Sequence, residues 1–186
     1  MKNIKLIIAA ALTILSLNIQ AQEEITDVNE QKECSCMDSS HLSYSIDQPG
    51  NKILAIGRQV ALVDKTVIKG SCWTFVNEIY RRAGSADDKT VVFRSKKAGP
   101  YANAEMVKPG DWIYHINHSY NNVEHSAIFV CWKDFANRIA ITLSYAGMNR
   151  NIPAKYGSYK LNNIYSIFRP AAHSEENLSK TVTSAN

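Results

Sequence analysis

Two side chains have the types and the setting that nucleophilic catalysis requires, Cys72 and His125. Cys72 opens a segment with helical apolar spacing. Because the first N–H groups of a helix lack intrahelical partners and the peptide dipoles align there, this position favours a thiolate and can stabilise the oxyanion of a tetrahedral intermediate. His125 enters a later strand, where its ring could face a helix packed on the sheet. The pattern predicts a thiol nucleophile with an imidazole base; a structural thiol and an ordinary histidine are the alternatives.

A third polar group normally orients such an imidazole through its other nitrogen. The segment that follows the His125 strand can supply it if the two form an antiparallel hairpin. Pairing of Trp132 with Ile139 makes Ser144 the diagonal neighbour of His125 on the same face, a tighter register places Ser144 directly opposite, and the intermediate register presents Tyr145. The candidates are therefore Ser144 first, with Tyr145 and Asn149 as alternatives.

Apolar periodicity predicts the elements that must position these groups. The segment 72–84 carries a helical apolar stripe, with Ser71 as a good N-cap and Gly84 as a stop. The segment 126–132 is apolar on both parities, which is typical of a strand covered on both faces. The segment 85–108 is polar and irregular. Helices are predicted at 51–64 and 72–84 and strands at 112–116, 126–132, 138–145 and 164–168, which is an α+β order.

The N-terminal residues indicate export. Residues 1–21 combine two lysines, a short apolar run and a small residue, Ala21, which is the pattern of a secretory signal peptide. The apolar run is shorter than a membrane-spanning helix requires, although a retained anchor is the alternative. We expect a polar linker or arm at 22–42, one domain at 43–170 and a polar tail at 171–186. The mature protein is then periplasmic or secreted, with no integral membrane segment.

Export affects the reading of the four cysteines, since thiols outside the cytoplasm tend to pair. Cys34 and Cys36 could pair with each other, with Cys131, or with nothing. Cys131 shares its strand parity with His125, and a core or disulfide role is expected for it. The proposed chemistry requires that Cys72 remain a free thiol.

Composition excludes several partners. The chain has 21 basic and 17 acidic residues, and removal of the signal peptide brings it still closer to neutrality, so nothing favours nucleic acid or an anionic membrane surface. His115 and His118 could be combined with His125 as metal ligands, but their spacing is loose and no acidic or thiol partner is fixed nearby. No metal or cofactor is expected, and the oligomeric state is left open.

Three segments of the chain resemble the hallmarks of one family. They are a cysteine that opens a helix ending near Ala-Gly, a Pro-Gly-Asp before a strand, and a His-x-Ala-Ile strand. Together they are similar to the NlpC-type cell-wall peptidases and the related CHAP amidases, over residues 51–170. In this sequence the segments read GSCWTFVNEIYRRAG, VKPGDWIYHI and EHSAIFVCW.

The resemblance implies a papain-like fold, in which N-terminal helices, with the catalytic cysteine at a helix start, pack on an antiparallel sheet. It implies cleavage of amide bonds in peptidoglycan peptides, typically next to D-glutamate and diaminopimelate. Cys72 matches the nucleophile, His125 the base, and Ser144 the strand position of the third polar residue.

Two departures from the family pattern bear on function. Many NlpC-type members read Asp-Cys-Ser-Gly, whereas this chain has Ser-Cys-Trp-Thr at 71–74, which leaves the scissile bond open. A serine at the third position supports a positive imidazole only weakly, since a hydroxyl is neutral. A non-catalytic module that binds wall peptide or a partner protein is therefore the alternative function, and an antibacterial amidase toxin is a third.

Overall fold

The computed structural model describes residues 48–171. Over that range, helices precede a six-stranded antiparallel sheet, so the predicted α+β order is confirmed. The signal peptide 1–21 and the arm 22–42 lie outside the described residues, as do Cys34, Cys36 and all but the first residue of the tail. The elements are α1 (Pro49–Arg58), continued by a π-helix (Gln59–Val63), α2 (Cys72–Arg82), β1 (Lys89–Arg94), β2 (Trp112–Asn117), β3 (Val123–Asp134), β4 (Ile139–Ser144), β5 (Lys155–Lys160) and β6 (Ile164–Pro170), with short 3-10 turns at Ala104–Met106 and Met148–Arg150.

A capping box fixes the start of α2. The Thr74 N–H donates to Ser71 Oγ at 3.5 Å, and the Ser71 N–H donates to Thr74 Oγ1 at 3.1 Å. Gly84, with φ of +75°, follows the helix, in a conformation that favours glycine. The predicted helix is confirmed at its start, where Cys72 is the first helical residue. Trp73 belongs to the apolar stripe of this segment but is not buried, because 47% of its surface is exposed.

The strand β3 connects the two halves of the sheet, whose order is β1-β6-β2-β3-β4-β5. It is 12 residues long, and it pairs with β2 along its first part and with β4 along its second. Since successive residues of a strand face opposite sides, Ile128 packs in the core under the helices, whereas Ala127 and Phe129 pack in a second core on the other face. The prediction that this strand is covered on both faces is confirmed.

Two strands were not expected from the sequence. The interpretation of 85–108 as irregular is wrong, because β1 lies within it. This is an edge strand with a bulge against β6, and Val91 points outward with 47% of its surface exposed, so no clean alternation marks it. The other edge strand, β5, reads KYGSYK and carries no apolar run. Edge strands of polar composition leave little periodicity to detect.

Bulges in β3 change the expected register. Trp132 pairs with Ala140 rather than with Ile139, since irregularities interrupt the β3–β4 ladder. Toward the start of β3, however, Ser144 pairs with Ala127. This is the register that makes Ser144 the diagonal neighbour of His125. One bulge also places Cys131 against the core under the helices, so its expected shared parity with His125 is wrong.

A buried ion pair joins β6 to the turn before β2. Arg169 donates from Nε and Nη2 to the Asp111 carboxylate at 2.8 and 2.7 Å, and the Lys108 N–H donates to the same carboxylate at 2.8 Å. Burial raises the pKa of Asp111, while the Arg169 hydrogen bonds oppose that shift. The Asp111 side chain has no exposed surface, so its charge depends on these donors.

We expect Arg169→Met to lower the free energy of unfolding by about 3–5 kcal/mol, because it leaves a carboxylate buried without its partner. Urea denaturation measures the loss, and adding Asp111→Asn should recover part of it. Arg81→Met is the matched control. Arg81 also pairs with a carboxylate through two nitrogens, that of Glu78, but this pair lies on the surface. The urea midpoint of Arg81→Met should therefore hardly move. Equal losses in the two variants would contradict this account.

Candidate functional site

A cleft of about 960 Å³ opens at the end of the sheet where β3 and β5 begin and β4 ends. Cys72 lines it from the start of α2, and His125 and Ser144 line it from the sheet. The loop after β4 closes over the start of α2, where the Met148 N–H donates to the Gly70 carbonyl at 2.8 Å. The rim includes exposed apolar side chains, namely Tyr120, Val123, Met148 and Ile152.

Cys72 is a free thiol, and its side chain is partly exposed. It occupies the first helical position, directly after the Ser71 cap, so it lies at the positive end of the helix dipole. No acidic side chain lies in the first turn. Cys131, in contrast, is disulfide-bonded. The chain therefore leaves the thiol at the helix start available while another cysteine is oxidised.

His125 is held by a chain of hydrogen bonds across three strands. His125 Nε2 lies 2.6 Å from Ser144 Oγ, and Ser144 Oγ lies 3.0 Å from the Tyr159 hydroxyl. Of the three candidates for the orienting group, Ser144 is the one that contacts the imidazole. Tyr145 instead donates to the Ile68 carbonyl at 2.6 Å, and Asn149 lies in the cleft lining without a hydrogen bond to His125.

Burial controls the protonation of His125 and of His115, its partner in β2. It lowers the pKa of His125 to about 4 and, together with the nearby His125, the pKa of His115 to about 3. The rings meet edge-on, with centroids 5.6 Å apart. At pH 7 a group with pKa 4 is protonated in about one molecule in a thousand. His125 is therefore a neutral imidazole that can accept a proton.

Strand alternation places His125 on the face of the sheet away from the helices. Ser126 and Ile128 occupy the helix side of β3, and His125 shares the other face with His115, its partner in β2. The expectation that the ring faces the helix is wrong for this reason. Within residues 48–171, no hydrogen bond links the Cys72 thiol to His125, and the two side chains approach the cleft from opposite sides of the sheet end.

The side of the sheet that faces Cys72 carries polar groups that the sequence did not single out. Tyr165 donates to Glu124 Oε1 at 2.7 Å, and Tyr114 contacts Tyr165 with ring centroids 6.0 Å apart. Burial raises the pKa of both phenols, and the Cys72 charge adds to each shift. Aligning β2 with β3 would have placed Tyr114 and Glu124 on one face, because it assigns alternate positions to each face. Tyr165 lies on β6, outside that alignment.

The loose histidine set does not form a ligand cluster. His118 contacts Asn122 and Asn163 through its two ring nitrogens, at 2.8 and 2.5 Å. Within the part of the chain that the structure describes, no group of three or more histidine, cysteine or acidic side chains is arranged to hold a metal ion. No helix within residues 48–171 is long and apolar enough to span a bilayer.

No family model, curated protein or solved structure matches this chain.

We expect acid to destabilise the protein through its two buried histidines. In the unfolded chain each takes up a proton near pH 6.5, whereas in the folded protein His125 and His115 remain neutral down to about pH 4 and 3. Between pH 6.5 and 4 the unfolded state binds more protons, so the free energy of unfolding falls by roughly 1.4 kcal/mol per pH unit for each of them.

Urea denaturation of two variants at several pH values tests this. His115→Phe should remove roughly half of that slope. His118→Gln should retain it, because the hydrogen bonds that His118 donates to the Asn163 and Asn122 side-chain oxygens raise the pKa of His118, so that both the folded and the unfolded state are protonated well below pH 6.5. An undiminished slope in His115→Phe would refute the assignment.

Proposed function

We propose that the protein is an exported cysteine hydrolase that cleaves amide bonds in peptidoglycan peptides. The observation that carries the proposal is the shared cleft: a free thiol at a capped helix start and a neutral imidazole held by Ser144 open on the same space. The resemblance of three ordered segments to NlpC-type peptidases supplies the substrate class and a papain-like fold. Both belong to the proposal.

The chemistry follows from these two groups. The Cys72 sulfur attacks the carbonyl carbon of the scissile amide, and its proton passes to His125. The imidazolium returns that proton to the leaving amine, so the carbon–nitrogen bond breaks and a thioester remains. His125 then takes a proton from water, whose oxygen attacks the thioester carbonyl carbon. The carbon–sulfur bond breaks, the acid is released, and the imidazolium returns its proton to the departing sulfur. Since Ser144 contacts Nε2, the other nitrogen, Nδ1, is the one left for these transfers.

The site favours a slow hydrolase. A base works best when its pKa lies near the operating pH, and burial lowers the pKa of His125 to about 4. The neutral Ser144 hydroxyl supports the imidazolium less than a carboxylate would. Protonation of His125 is therefore costly, and binding of the peptide must bring the two sides of the cleft together.

A non-catalytic module that binds wall peptide or a partner protein is the second candidate. The observation that favours it is the placement of Cys72 and His125 on opposite sides of the sheet end, without a hydrogen bond between them among residues 48–171. The apolar rim of the cleft suits a bound peptide in either case.

Mass spectrometry of purified peptidoglycan incubated with the mature protein tests the hydrolase. We expect new soluble peptide fragments, and we expect Cys72→Ala to lower their release at least ~1000-fold and His125→Gln at least ~100-fold. Ser119→Ala, which changes a cleft side chain outside the reacting pair, serves as the control and should retain release.

Undiminished release by folded Cys72→Ala would exclude this mechanism. Absence of release by the wild type, together with equal binding of soluble wall peptide by wild type and Cys72→Ala in calorimetry, would instead establish the binding module.

A further inference from the structure

The proposed base needs more support than Ser144 alone can give. A neutral hydroxyl favours a positive imidazole less than a charged acceptor does. Burial of His125, which lowers its pKa to about 4, further disfavours the protonated form that the reaction requires. A second group that stabilises the imidazolium would offset part of this cost.

Tyr159 of β5 contacts the His125–Ser144 pair in two ways. Its hydroxyl lies 3.0 Å from Ser144 Oγ. Its ring is stacked on the His125 imidazole, with centroids 5.7 Å apart and planes 27° apart. The residue also lines the cleft. One side chain therefore touches both the orienting hydroxyl and the face of the ring.

Gly157 makes this position of Tyr159 possible. The two residues lie on the same face of β5, and a Cβ added at Gly157 would lie 2.7 Å from Tyr159 Cε2. Any larger residue would push the tyrosine ring aside. Because residue 157 has no side chain, the tyrosine ring can lie along the strand and reach Ser144. The β4–β5 register alone would not make Tyr159 and Ser144 neighbours.

We propose that Tyr159 is a positioning residue for His125 that stabilises its protonated form through Ser144 and through ring stacking. The proposal rests on the proposed role of His125 as the base, and it names a residue that the thiol–imidazole chemistry does not itself require. It predicts that the hydroxyl and the ring of Tyr159 make separable contributions.

The hydrogen-bond chain leaves each group with its own proton. When His125 takes the thiol proton, both of its nitrogens carry hydrogen, so Nε2–H donates to Ser144 Oγ. The Ser144 O–H is then free to donate to the Tyr159 oxygen, and a hydroxyl that donates onward is a better acceptor. The charge remains on the imidazole, where the π-face of Tyr159 stabilises it. His115 on β2 adds no opposing charge, since burial lowers its pKa to about 3.

The test is an NMR titration of the His125 ring protons in the full chain, run with a stabilising osmolyte so that the protein stays folded at low pH. This readout does not depend on the thiol. Tyr159→Phe keeps the ring and removes the hydroxyl, and it should lower the titration midpoint by roughly half a pH unit. Tyr159→Leu removes both contributions and should lower it by roughly one unit. Tyr120→Phe, another cleft tyrosine, whose hydroxyl contacts Arg150, should leave the midpoint unchanged.

Two further variants test whether the Tyr159 hydroxyl acts on His125 through Ser144. In a Ser144→Ala background, Tyr159→Phe should produce no additional shift, because the chain is already broken. Gly157→Ala should reproduce much of the Tyr159→Leu effect.

Unchanged or raised midpoints in both Tyr159 variants would overturn the proposal. An equal Tyr159→Phe shift with and without Ser144 would overturn the route through the Ser144 hydroxyl. The titration needs no turnover, so lack of wall cleavage with these shifts present defeats the hydrolase and not the role of Tyr159.

Discussion

The hydrogen bond between His125 and Ser144 depends on a single strand register, and the rest of the site depends on that bond. It joins β3 to β4 at 2.6 Å, at the end of the sheet where the cleft opens. A slip of one residue would turn Ser144 away, because strand side chains alternate between faces. Both cores are specified by the same alternation, so burial of apolar residues on two faces holds the imidazole in place.

The same strand alternation separates the imidazole from the thiol. The alternation that packs Ile128 under the helices sends His125 to the other face. The thiol and the imidazole then meet only through the cleft at the end of the sheet. A cysteine hydrolase on this framework must use the bound peptide to connect them. A binding protein would need no such connection, which is why the same geometry sustains both candidate functions.

Sequence reasoning reached the parts of the site that depend on local signals. The cap and the glycine stop located α2 and hence Cys72. The hairpin register identified Ser144, since the pairing at the start of β3 is the one that the sequence analysis considered first. It missed Tyr159, because the polar edge strand β5 has no apolar period. It misjudged which face His125 occupies, because both parities of β3 are buried and neither pattern of alternation stands out. Which face of the sheet a side chain occupies depends on tertiary packing, and no local sequence signal records it.

A hydrolase of this kind requires the Cys72 sulfur and the His125 imidazole to act on each other once peptide is bound. The most direct measurement is a double-mutant cycle on peptide release from purified peptidoglycan, followed by mass spectrometry for the wild type, Cys72→Ala, His125→Gln and the double variant. Because groups that act as a unit are not additive, the double variant should release peptide no more slowly than Cys72→Ala alone. A double variant whose loss equals the product of the two single losses, or a wild type that releases no peptide, would contradict this mechanism.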